Sequence, residues 1–334
     1  METGETIIES SQPKIEQLQG KETYDVEGTS ITVSYNTFNP KESIAPEDLT
    51  KAVLFIPGWS IPQNANSLKP IGQELADYSK GRAFIVDTTT EKVAEGSLAQ
   101  EAKALVEFAK KQGLKNLTLV GNSQGGAEAI HLAAILKEQH PEIQVEGIGL
   151  FDPVTIYEQS RRKLFTNYVK DILKTSAAIT HPPKMKGRNE VLSQNMKYTK
   201  DGVTGILKGI MHARALGWPP KIWNEISEMA RINPDLAKID VPVVIIQGAH
   251  DKVSNPAEII PNQDPNSTKA YVDKADEREE GLKNIFPNSP YVRLLVPEKM
   301  GYHNVSYSRP ESSARTVLYM LNRYKRQQPP PQLT

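Results

Sequence analysis

Short, unbroken apolar runs alternate with stretches of helical spacing along most of this chain. The runs at 52–56, 82–87, 117–120, 145–151, 242–247 and 291–296 have the length and composition of strands buried on both faces. Between them, 67–78 places Leu68, Ile71, Leu75 and Tyr78 at helical spacing, and 97–111 does the same with Leu98, Ala102, Leu105, Val106 and Ala109. Helices are also expected over 126–137 and 315–324. The segment 23–38 alternates instead, which predicts two antiparallel strands turning at Glu27-Gly28. Strands interleaved with helices in this order specify an α/β domain with a mostly parallel central sheet flanked by helices.

One long stretch breaks the alternation. Residues 155–238 read as helical pieces interrupted by His181-Pro182-Pro183 and Trp218-Pro219-Pro220, and they predict a helical cap inserted above the strand ends. The expected organisation is a disordered lead over 1–22, a core built from 23–154 and 239–326, the cap over 155–238, and a disordered tail over 327–334. The connection after Asp251 is long and predicts an additional helix over 271–285.

Composition narrows the function classes. Of 334 residues, 38% are apolar and 24% charged, and the formal net charge is zero, so no global attraction to nucleic acid or an anionic membrane is expected. The absence of cysteine excludes disulfides, thiolate catalysis and Cys-ligated zinc. No run approaches the roughly 18 apolar residues of a membrane span, and the polar start lacks the pattern of a secretory signal. A cytoplasmic protein is therefore the expectation.

The chemistry concentrates where strands end. Residues 119–126 read Leu-Val-Gly-Asn-Ser-Gln-Gly-Gly, an apolar strand running into Gly121-Asn122-Ser123-Gln124-Gly125 and then a helix. This is G-x-S-x-G in its strand-turn-helix context, where the serine hydroxyl is pushed clear of the backbone. A serine hydroxyl needs a base, and a base needs an orienting carboxylate. Of six histidines, His303 lies after the last apolar strand, while His131 and His140 are carried away along the helix behind Ser123. Asp251 follows the strand 242–247 and Asp152 follows 145–151; the chain order Ser, Asp, His favours Asp251, and Asp152-Pro153 also reads as a turn. Backbone N–H groups of Gln124 and Trp59 are the candidate oxyanion donors, the latter in Ile56-Pro57-Gly58-Trp59-Ser60.

These motifs, in this order, resemble the α/β-hydrolase superfamily over 23–154 and 239–326, with 155–238 at the position of that family's variable cap. Leu54-Phe55-Ile56-Pro57-Gly58-Trp59 looks like its oxyanion strand and turn, and Gly248-Ala249-His250-Asp251 and Gly301-Tyr302-His303-Asn304 like its acid and histidine loops. Pro57 and Asn122 stand where histidine is frequent, and neither removes a reacting group. The resemblance implies the α/β-hydrolase fold and a serine hydrolase acting on an ester, thioester or amide of a small acyl substrate, with catalytic Ser123, Asp251 and His303. It implies no metal and no organic cofactor. An acyltransferase, a cofactor-free haloperoxidase-like enzyme and a non-enzymatic binding module on the same scaffold remain alternatives at this stage.

The segment 156–238 holds 15 Lys and Arg against 7 Asp and Glu. These charges either solvate the outer faces of cap helices or steer an anionic substrate. Solvated faces make kcat/KM for an anionic and a neutral ester respond to salt alike and weakly. A steep fall for the anionic ester alone assigns steering.

Overall fold

The computed structural model describes residues 18–42, 46–58, 68–90, 97–168, 170, 220–248, 251, 253–254, 275–296 and 310–327. Eight strands form one sheet in the order β1-β2-β4-β3-β5-β6-β7-β8. They are β1 (Leu18–Val26), β2 (Thr29–Phe38), β3 (Lys51–Ile56), β4 (Arg82–Thr90), β5 (Asn116–Asn122), β6 (Gln144–Phe151), β7 (Val243–Ile246) and β8 (Val292–Leu295). Only the β1–β2 and β2–β4 pairs are antiparallel; the remaining pairs are parallel.

The hairpin follows from two residues. Glu27 (φ 53°) and Gly28 (φ 80°) both take the left-handed conformation, the geometry whose twist matches that of the flanking strands. Asp25 Oδ1 accepts the Gly28 N–H at 2.9 Å and fixes the turn.

The central strands read as continuous apolar runs because both faces are covered. In β3, Leu54 and Ile56 pack with residues of α2 (Leu98–Lys111) and α3 (Gln124–Gln139), while Val53 and Phe55 pack with α1 (Lys69–Ser79) and the C-terminal helix. Each fully buried side chain of this size stabilises by about 1.5–3 kcal/mol. The helix α2 starts with a reciprocal cap: Ser97 Oγ accepts the Gln100 N–H at 3.2 Å, and Gln100 Oε1 accepts the Ser97 N–H at 3.1 Å.

Between β6 and β7 the chain leaves the sheet. Residues 161–168 are helical, and the return passes through α4 (Pro220–Met229). Ile226, Met229 and Ala230 pack there with Leu164, Val154, Val253, Ala127 and Leu98, a small second core at the C-terminal edge of the sheet. Residues 171–219 of the expected cap lie outside the described residues. Two further helices lie among the described residues, α5 (Ala275–Ile285) and α6 (Pro310–Gln327). No helix among the described residues is long and apolar enough to cross a membrane.

Some boundaries differ from the sequence expectation. β1 begins at Leu18, inside the 1–22 segment expected to be a disordered lead; residues 1–17 lie outside the described residues. An edge strand needs only a backbone partner on one side, so its composition stays polar and its outer residues stay exposed. α3 starts at Gln124 rather than at 126, because the chain reverses at a single residue. α6 starts at Pro310, where the missing proline N–H costs nothing in a first helical turn.

His131, on α3, faces away from Ser123 chemistry and instead meets Asp235 at 2.6 Å, with Lys238 on the other carboxylate oxygen at 2.9 Å. Burial works to raise the Asp235 carboxyl, but hydrogen bonds from Lys238 and His131 outweigh it and hold the group below the usual carboxylate range. A carboxyl lowered on folding contributes stability above its unfolded pKa, about 4, that is lost as pH falls further. Asp235→Asn is therefore expected to lower Tm at pH 6 to 7. The gap to the wild type should narrow below about pH 4, measured by thermal melts across pH.

Candidate active site

The geometry begins with glycine. A Cβ on Gly121 would sit 2.3 Å from the Gly125 carbonyl oxygen, and one on Gly125 would sit 2.2 Å from the Ile56 and 2.5 Å from the Pro57 carbonyl oxygens. These are backbone atoms on both sides, so no side chain fits at either place. Between the two glycines Ser123 adopts φ 53° and ψ −115°, a conformation that L-residues rarely hold. Its N–H donates to the Phe151 carbonyl at 2.8 Å, and its carbonyl accepts the Gly126 N–H at 3.1 Å. Gly126 has ordinary room instead: its Cβ would meet Pro153 Cβ at 3.4 Å, so close packing of the helix is not what it supplies.

The chain leaving β3 lies directly against this turn. A Cβ on Gly58 would meet Asn122 Oδ1 at 2.8 Å and Ser123 Cβ at 3.1 Å. Gln124 is the first residue of α3, so its N–H has no acceptor within the helix and lies at the positive end of the helix dipole. Asn122 is tied down by its side chain, which donates to the Phe151 carbonyl at 3.3 Å. Trp59, the other expected oxyanion donor, lies outside the described residues.

Sheet register places the strand ends side by side. Asn122 is opposite Phe151, Phe151 opposite Ile246, and Ile246 opposite Leu295. At about 4.8 Å per strand, the ends of β5 to β8 span roughly 14 Å. Ser123, Asp152 and the turn bearing Asp251 all follow from this edge, as does the chain beyond β8. His303 lies further along that chain, outside the described residues, as do His250, His181 and His212.

Both candidate acids are buried and both meet at Gly248. Asp152, at φ 44°, accepts the Gly248 N–H on Oδ1 at 2.8 Å, while Asp251 donates its N–H to the Gly248 carbonyl at 3.0 Å. The Asp251 carboxylate accepts the Val253 and Ser254 N–H groups on Oδ1 at 2.8 and 3.1 Å, and the Ser254 hydroxyl on Oδ2. Gln247 Nε2 donates to Ser254 Oγ at 3.0 Å and to the Ser254 carbonyl. Sequence reasoning missed Gln247 and Ser254, because support of one carboxylate by short-range polar bonds leaves no periodic signal. Among the described residues no group of three or more His, Asp or Glu is arranged to hold a metal ion.

No family profile matches the chain, and no curated protein matches it. Solved structures do. A probable hydrolytic enzyme from Pseudomonas aeruginosa PAO1 superposes with a TM-score of 0.57 at 15% identity, over 94% of this chain and 96% of that one. A thermophilic esterase from Thermogutta terrifontis gives 0.55 at 15%, over 91% and 98%. An alpha/beta hydrolase fold protein from Chitinophaga pinensis gives 0.53 at 13%, over 91% and 98%. At such identities the likeness speaks for architecture, and it agrees with the sheet order, the strand-turn-helix at Ser123 and the insertion after β6: the chain has the α/β-hydrolase fold.

Proposed function

We infer that the protein is a serine hydrolase that cleaves an ester, thioester or amide of a small molecule through an acyl-enzyme. The observation that carries this reading is the conformation of Ser123, held at positive φ between glycines that no other residue replaces. Strain of this kind persists only where the surroundings enforce it. In the proposed reaction Ser123 Oγ attacks the acyl carbonyl as His303 takes its proton. The Gln124 and Trp59 N–H groups hold the negative oxygen of the tetrahedral intermediate. The bond to the leaving group then breaks, and His303 delivers the proton to that group. Water, deprotonated by His303, attacks the acyl-enzyme and releases the acid, returning the proton to Ser123.

Asp251 is proposed as the carboxylate that orients His303. It is supported by its place after β7, by the chain order, and by the bonds from Val253 and Ser254 that fix its plane. Asp152 is assigned to the turn instead, since the chain order Ser, Asp, His favours Asp251 and Asp152 Oδ1 accepts the Gly248 N–H of the turn after β7. Residues 155–238 are proposed as the cap over this site, which α4 and its apolar contacts to Val154 and Val253 support.

A fluorophosphonate probe is expected to label the wild type and not Ser123→Ala, whose kcat on activated esters falls by about a thousandfold or more. Equal labelling of both proteins removes Ser123 as the nucleophile. Activity is expected to rise through a single ionisation near neutrality as His303 loses its proton, and then to level.

The elbow itself has a discriminating pair. Gly125→Ala drives a methyl into two carbonyl oxygens, so it is expected to abolish labelling and to cost about 1–3 kcal/mol of stability. Gly126→Ala meets only ordinary contacts, and is expected to keep labelling and to match or exceed the wild-type Tm. Labelling assays and thermal melts of the two variants check both outcomes.

A further inference from the structure

Beside the nucleophile turn the protein buries neutral polar side chains and leaves them unpaired. The Val154 N–H reaches the Ser123 carbonyl at 3.5 Å, so the segment leaving β6 runs against the turn. One residue on, Thr155 is 3% exposed and its hydroxyl has no hydrogen-bond partner among the described residues. Its φ of 70° is strained for a β-branched residue. Asn233 holds that strain in place: its N–H donates to the Thr155 carbonyl at 2.7 Å, and its side chain donates to the Ala127 carbonyl of α3 at 3.3 Å.

Gln159 is 8% exposed and both Oε1 and Nε2 are unpaired among the described residues, although its backbone N–H is anchored on the Ala230 carbonyl at 2.9 Å. Gln124, next to Ser123, is 6% exposed and its Oε1 is unpaired as well. Apolar side chains adjoin them, for Val154, Ala127 and Ala230 belong to one packed cluster with Leu164, Ile226 and Val253.

Buried polar groups are nearly always paired, and a local concentration of exceptions indicates a partner supplied from outside the chain. Slack does not explain these, since the backbones of Thr155 and Gln159 are each fixed by a separate bond. The chemistry of the set also selects the partner. A hydroxyl and two carboxamides both donate and accept but carry no charge, so nothing in the set balances a carboxylate or phosphate. A neutral O–H or N–H fits.

We propose that Thr155, Gln159 and the Gln124 side chain form a recognition site for a neutral hydroxyl- or amide-bearing group carried beside the scissile carbonyl of the substrate. The neighbouring apolar cluster receives the hydrocarbon part. The assignment rests on the serine-hydrolase reading for the location of that carbonyl.

The test uses the full chain carrying Ser123→Ala and titration calorimetry with two isosteric esters, ethyl 3-hydroxybutanoate and ethyl 3-methylbutanoate. The hydroxy ester is expected to bind about tenfold or more tightly, because a site built for a hydroxyl penalises its methyl analogue. Thr155→Val and Gln159→Leu, each added to that chain, are expected to bring the ratio towards one while leaving Tm unchanged or raised. Apolar replacement of an unpaired buried group removes a penalty rather than a bond. Equal binding of the two esters, preference for the methyl ester, or binding of neither overturns the proposal. So does a lowered Tm with the ratio unchanged, which would make the groups structural. Turnover by the wild type is read separately: if neither ester is hydrolysed, the hydrolase reading fails, and the binding ratio still judges the recognition site.

Discussion

The close approach of α3 to the end of β3 is the constraint on which the site depends. Gly125 lies so near the Ile56 and Pro57 carbonyl oxygens that a single methyl cannot be inserted. Because the helix sits that low, the chain leaving β5 must reverse within one residue, and that residue is Ser123 at positive φ. Gly58, just after β3, lies against Ser123 Cβ and Asn122 Oδ1, so the chain leaving β3 abuts the serine turn. A non-glycine residue held in such a sparsely populated conformation costs about 1–3 kcal/mol. The surrounding layers, with Leu54, Phe55 and Val120 fully enclosed, supply more than enough burial to hold it.

Parallel pairing converts that local geometry into a site. Strands that all run the same way end on the same edge, and the aligned row from Asn122 through Phe151 and Ile246 to Leu295 brings distant stretches of sequence level with one another. The chain reaches Ser123, Asp152 and Asp251 after successive strands, each with an insertion or helix in between. Nothing in this arrangement requires the intervening segments to be alike.

Much of this was legible in the sequence because it rests on backbone constraints with strong residue preferences. The glycine spacing at 121 and 125 and the continuous apolar runs of β3 to β7 read directly. The start of β1 did not, because an edge strand with one solvated face has no compositional signature. The first turn of α3 was read two residues late, since Gln124 and Gly125 look like loop residues until the turn geometry is known. Least legible were Thr155, Gln159, Gln247 and Ser254. Their significance lies in which polar atoms are paired, and pairing depends on contacts far apart in sequence. Trp59 and His303, which sequence singled out, lie outside the described residues and enter only through the mechanism proposed.

The two buried acids show how one edge divides its labour. Asp152 and Asp251 both bond to Gly248, one through a carboxylate oxygen and the other through its N–H, so the turn after β7 is clamped from both sides. A carboxylate accepting a backbone N–H in this manner locks a loop without needing a cation. Asp251 is then further fixed by Val253 and Ser254, and Gln247 braces Ser254 in turn. Such saturation contrasts with the neighbouring Thr155, Gln159 and Gln124, where unpaired polar atoms each cost about 1–3 kcal/mol if nothing binds them. Both carboxylates at this edge are met by donors, while polar atoms of Thr155, Gln159 and Gln124 are left open among the described residues.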